Sequence, residues 1–79
     1  MISLEAFTEK VAESFGIEEQ GSLLPDTDYK DIKEWDSMRA LLLIALVDTE
    51  FDVLISGSDL KTVNTVRDVY KLIQDRKGE

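Results

Sequence analysis

Eight consecutive apolar residues, Ala40 to Val47, stand in the middle of a 79-residue chain, just after Glu34-Trp35-Asp36-Ser37-Met38. This run constrains the fold more than any other stretch. It is far too short for a membrane-crossing helix, which needs about 20 residues. Read at the helical period, the segment from Ser37 to about Asp52 places Leu43, Val47 and Phe51 on one side, flanked by Ala40, Ile44 and Leu46. The opposite side carries Met38, Leu41, Leu42 and Ala45 in its first two turns, then Asp48, Thr49 and Asp52. A helix apolar on both sides is either buried all round or presents one side to something else. A chain this small has few elements with which to surround it. The second apolar patch, beside Ser37, is therefore expected to face a partner.

The rest of the chain supplies partners for one side of that helix. Ser3 to Phe15 reads as an amphipathic helix, with Leu4, Phe7, Val11 and Phe15 on one face, Ala12 beside them, and Glu5, Glu9, Lys10 and Glu13 opposite. Ser3 suits the N-cap and Gly16 a stop. From Ile17 to Asp36 no period is sustained. Gly21, Ser22, Pro25, Asp26, Asp28 and Asp31 form turns, and Leu23, Leu24, Tyr29, Ile32 and Trp35 suggest a long loop pinned across the core at intervals. Val53 to Asn64 is a connection with Leu54 and Ile55 as apolar anchors, a Ser56-Gly57-Ser58 turn, and one short helical turn at Ser58 to Thr62. Thr65-Val66-Arg67-Asp68 resembles a capping box, and Val66, Val69, Tyr70 and Ile73 mark a last helix to about Gln74. Arg76 to Glu79 reads as a frayed tail. The expected fold is all-α: a small four-helix bundle, three main helices and one short one, as a single domain over residues 1–79 with a long loop between the first two helices.

Composition removes most chemistry. The chain has no cysteine and no histidine. Disulfides, thiolate nucleophiles, Ser-His pairs and histidine-ligated metals are all ruled out. Asp26-Thr27-Asp28 opens like a calcium loop, but the sixth and twelfth positions hold Asp31 and Ser37 instead of glycine and glutamate. No metal site is expected. The net charge of −8 disfavours nucleic acid and anionic membranes as partners. Its distribution is uneven: residues 1–36 hold ten acidic and three basic residues, whereas residues 37–79 hold seven and six. The N-terminus turns acidic at Glu5 with no signal-peptide pattern, so a monomeric cytoplasmic protein is expected. Ser37 has no base near it in sequence. Either Ser37 or Asp36 could simply cap the central helix. If Ser37 takes part in chemistry, another protein acts on it, so the chain itself is not expected to be an enzyme.

The chain resembles acyl carrier proteins over almost its whole length. Asp36-Ser37-Met38 matches the family's Asp-Ser-Leu signature. Leu43, Ala45, Glu50, Phe51 and Asp52 follow it in the central helix, and Thr65-Val66 opens the last one, all at the family's spacing without a gap. The resemblance implies a four-helix bundle whose Ser37 receives 4′-phosphopantetheine from coenzyme A through a phosphopantetheinyl transferase. Acyl groups would then ride as thioesters on the imported thiol. A flexible arm raises the effective concentration of its cargo at the enzyme holding the carrier.

Implied partners are an acyl-loading ligase or transferase and ketosynthase or tailoring enzymes of fatty-acid, polyketide or other specialised acyl synthesis. The implied recognition residues are Trp35, Asp36, Met38, Arg39, Leu41, Leu42 and Ala45. Three departures from the housekeeping pattern stand out. Lys33-Glu34-Trp35 replaces a short Gly-Ala and lengthens the loop by one residue. Arg39 occupies a place where an acidic residue is common, and Leu42 one that often holds glutamate. A specialised carrier with an apolar docking face is expected. The alternatives are an aminoacyl or peptidyl carrier and, in a different class, a small helical interaction domain with an unmodified Ser37.

Overall fold

The computed structural model describes residues 2–17, 21 and 23–78. Ser22 and Glu79, read above as a turn former and part of the tail, lie outside them. The elements are α1 (Leu4–Ser14), a 3-10 turn (Tyr29–Asp31), α2 (Ser37–Phe51), α3 (Gly57–Thr62) and α4 (Val66–Lys77). Among the described residues there is no strand; Asp28 and Thr65 form one isolated bridge. The four-helix all-α expectation holds.

Each helix begins where a side-chain oxygen can accept from a first-turn N–H. The Ser3 hydroxyl accepts from Ala6 N at 3.2 Å. Thr65 and Asp68 form the expected reciprocal capping box at α4. A second box, Ser56 with Asp59, starts α3, so the segment read as a turn at Ser56-Gly57-Ser58 is the helix entry itself. The end of α1 is a Schellman motif: Gly16 at φ +78° donates to Glu13 O at 3.1 Å, and Ile17 donates to Ala12 O at 3.0 Å.

Two sequence expectations need correction. First, α4 does not fray after Gln74. It continues to Lys77 and closes on Gly78, because its last turn has acceptors to reach. Arg76 pairs with Asp59 at 2.8 Å and donates to Leu54 O, while Lys77 Nζ donates to Phe51 O at 2.8 Å. Second, Leu24 and Leu54 are not anchors. Both are exposed. Leu54 lies between buried Val53 and Ile55, and neighbours of alternating direction leave it on the outside.

One apolar cluster draws on all four helices: Phe7, Val11 and Phe15 with Leu43, Val47 and Phe51, Leu60, and Val66, Val69 and Ile73. Phe7 lies edge-on to Phe51, with ring centroids 5.5 Å apart, and 5.7 Å from Tyr70. Burying a side chain of this size stabilises the fold by roughly 1.5–3 kcal/mol.

The long loop is strapped across the bundle as its spaced apolar residues suggest. Leu23 and Tyr29 are buried, and Ile32 and Trp35 pack against the core. Its backbone is also tied to the start of α4: Arg67 N donates to Pro25 O at 2.9 Å and Tyr29 N to Asn64 O at 3.2 Å. These ties fix both ends of the 25–29 turn against the start of α4, upstream of the segment that leads into Ser37.

Candidate functional site at the start of α2

The structure separates two neighbours that the sequence left interchangeable. Asp36, in extended conformation (φ −159°), is the N-cap of α2, and its Oδ1 accepts from Arg39 N at 2.9 Å. Ser37 is the first helical residue. It is exposed, and among the described residues its hydroxyl has no hydrogen-bond partner. Freed from capping, Ser37 is left exposed at the capped start of the helix. The backbone N–H groups of a first helical turn have no partners within the helix and carry partial positive charge there.

Around Ser37 lies an apolar surface. Met38 is 62% exposed, Leu41 67% and Leu42 39%, and Ala45 is exposed beside them. The inner side of the same helix places Leu43, Val47 and Phe51 in the core, with Ala40, Ile44 and Leu46 partly buried against it. The helix is thus apolar on two sides, one buried and one open. Farther along, Asp48, Thr49 and Asp52 are exposed and polar. An open groove of about 310 Å³ lies between α1 and α2, lined by Lys10, Glu13, Ser14, Leu46 and Glu50. It adjoins the second half of α2 and not the Ser37 end.

Two residues singled out with this face point elsewhere. Trp35 is half-buried and serves packing: its ring stands 5.0 Å from Tyr29 and 5.8 Å from Phe15. Arg39 turns towards the end of α1, where Nε donates to Phe15 O at 3.2 Å. Its place on the helix, beyond Leu42 and Leu46, faces α1 and not the open side. The residues that receive it, Phe15 and Gly16, were not read from the sequence as part of any site. The only hint was that the last turn of α1 has no basic residue of its own.

The arrangement suits a phosphopantetheine arm. A free hydroxyl at a helix N-terminus is a favourable anchor for a phosphodiester, and the exposed Met38 and Leu41 offer apolar contact next to it. Among the described residues, no group of three or more Asp or Glu could hold a metal ion, and no helix is long and apolar enough to cross a membrane.

Comparison with known proteins bears on the family and the fold. Residues 5–73 match the family model described as "Phosphopantetheine attachment site". The fold is similar to the solution NMR structure of holo acyl carrier protein from Geobacter metallireducens, with a TM-score of 0.77 and 23% sequence identity over 99% of this chain and 88% of that one. The match spans α1 through most of α4, so it takes in the whole bundle and the exposed serine at its centre. This chain belongs to the phosphopantetheine attachment site family, non-catalytic carriers whose prosthetic group is covalently attached 4′-phosphopantetheine, and it shares its fold with an acyl carrier protein.

Proposed function

We propose that Ser37 is the attachment residue and that the protein carries an acyl group for fatty-acid, polyketide or other specialised acyl synthesis in the cytoplasm. The observation that carries this reading is the exposed Ser37 hydroxyl, unpartnered among the described residues, at the first position of α2. When bound, the arm supplies a terminal thiol that holds the acyl group as a thioester. The chain's own contribution is to hold the attachment oxygen on a fixed helix end and to offer a docking face. In the transfer Ser37 Oγ bonds to the phosphorus that bears the arm, the pyrophosphate bond of coenzyme A breaks and its nucleotide half leaves. The Ser37 hydroxyl has no acceptor among the described residues, so its proton passes to a base outside them.

Met38, Leu41, Leu42 and Ala45, with Asp36 at their edge, form the face met by the phosphopantetheinyl transferase, the acyl-loading ligase or transferase, and the ketosynthase or tailoring enzymes. Support comes from their exposure in a helix whose opposite side is fully committed to the core. Incubation of the apo protein with coenzyme A and a broad-specificity phosphopantetheinyl transferase tests the reading. Intact-protein mass rises by one arm in the wild type and stays unchanged in Ser37→Ala. An unchanged wild-type mass, with another carrier modified in the same tube, contradicts it.

A further inference from the structure

Arg39 joins three groups that converge at the attachment end of α2. Its backbone N–H is capped by Asp36 Oδ1 at 2.9 Å, and its Nη1 pairs with the other oxygen of the same carboxylate, Oδ2, at 3.3 Å. Its Nε donates to Phe15 O at 3.2 Å, and the guanidinium lies over Gly16, 3.9 Å from where a β-carbon would stand. The carbonyls at the end of α1 carry partial negative charge, and the last turn of α1 has no basic residue to balance it. Arg39 supplies that cation from a different helix. In doing so it occupies both sides of the problem: the negative end of α1 and the carboxylate that precedes Ser37.

Resting on the attachment reading above, we infer that Arg39 is a positioning and charge-masking residue for the modification of Ser37. It holds the Asp36 carboxylate against the N-terminus of α2, so that a transferase meets a nearly neutral edge beside the serine. Docking then relies on Met38, Leu41 and Leu42, and the carrier discriminates against enzymes that read a free carboxylate at that edge. The Asp36 side chain is 53% exposed with Arg39 in place, so the guanidinium offsets its charge without covering it, and removing the guanidinium leaves an uncompensated charge at that edge.

Initial rates of arm transfer to the apo protein test this, using a transferase with a basic docking face at about 50 mM and about 500 mM salt, where screening lengths differ severalfold. The set is wild type, Arg39→Gln, Arg39→Lys, Asp36→Asn and the double variant. Asn keeps the cap, so Asp36→Asn removes charge with little loss of helix stability. At low salt Arg39→Gln lowers KM about two- to fivefold, the scale of one exposed charge interaction, with kcat unchanged. The difference disappears at high salt and in the Asp36→Asn background, and Arg39→Lys, which keeps the positive charge, stays near the wild-type KM. If Arg39→Gln raises KM equally at both salts, or acts equally without the Asp36 charge, Arg39 is only a brace between helices and the inference is overturned. A wild type that accepts no arm overturns the attachment reading and this one together; a modified wild type with an insensitive Arg39→Gln overturns the role of Arg39 alone.

Discussion

At the scale of single residues, capping falls to Asp36 and the proposed attachment to Ser37. Asp36 satisfies the third N–H of α2, while the Ser37 hydroxyl satisfies none among the described residues. Their stability costs should therefore differ. Asp36→Ala is expected to lower the unfolding free energy by about 1 kcal/mol, the usual loss for an N-cap. Ser37→Ala should stay within about 0.5 kcal/mol of the parent, as for exposed positions free of special contacts. Urea denaturation of the two variants checks this, and equal losses would return the cap to Ser37. The sequence could not separate these residues, because Asp and Ser are both good caps and a shift of one residue exchanges their roles. Arg39 was illegible for a different reason. Its acceptor is the Phe15 carbonyl, 24 residues away, and a backbone carbonyl leaves no trace in residue identity.

At the scale of elements, α3 and α4 depend on carboxylates held ionised by their own helix starts. The Ser56 backbone N–H, then the Arg76 guanidinium, hold Asp59 below the ordinary carboxylate value of 3.8. The Asn64 and Thr65 N–H groups do the same for Asp68. A carboxyl with a depressed folded-state pKa contributes stability that is complete above its unfolded value and lost as pH falls through the folded one. Urea midpoints followed by helicity should therefore be flat above about pH 5 and fall below about pH 4, in the window set by these two shifts. In Asp68→Asn the midpoint starts lower and the acid decline is shallower; an identical decline would show that the Thr65–Asp68 box carries no linkage. The box at α4 was legible because Thr-x-x-Asp precedes a clear apolar period. The box at α3 was obscured by Gly57, which reads as a turn residue. The length of α4 was hidden because its last turn is held by Asp59, Leu54 O and Phe51 O in other elements and not by apolar spacing.

At the scale of the molecule, the two-sided central helix organises the core and, on the proposed function, recognition as well. One side closes a core with α1, α3 and α4, and the other remains open beside Ser37. Helix order, the strapped loop and the open patch were readable from apolar spacing, since a chain with few elements offers few ways to bury Leu43, Val47 and Phe51 together. Which long side chains join the open face was not, because Trp35 and Arg39 both reach inward from positions near its border. Acidity is concentrated ahead of α2, yet the first two turns of its open face carry no charged side chain, since Arg39 in those turns faces α1. Leu42→Glu places a carboxylate on that face at little structural cost, since Leu42 is 39% exposed. The holo form of this variant should bind a ketosynthase with a basic docking surface more tightly than the parent does, by about two- to fivefold at low salt. Equal affinity would remove Leu42 from the contact surface. Fragment-ion mass spectrometry of the protein after arm transfer from coenzyme A shows whether the arm is carried at the start of α2. Ser3, Ser14, Ser22, Ser56 and Ser58 compete as sites in the same chain. The added mass is expected on Ser37 alone; an arm found on any other serine, or retained in Ser37→Ala, overturns the assignment of Ser37 as the attachment residue.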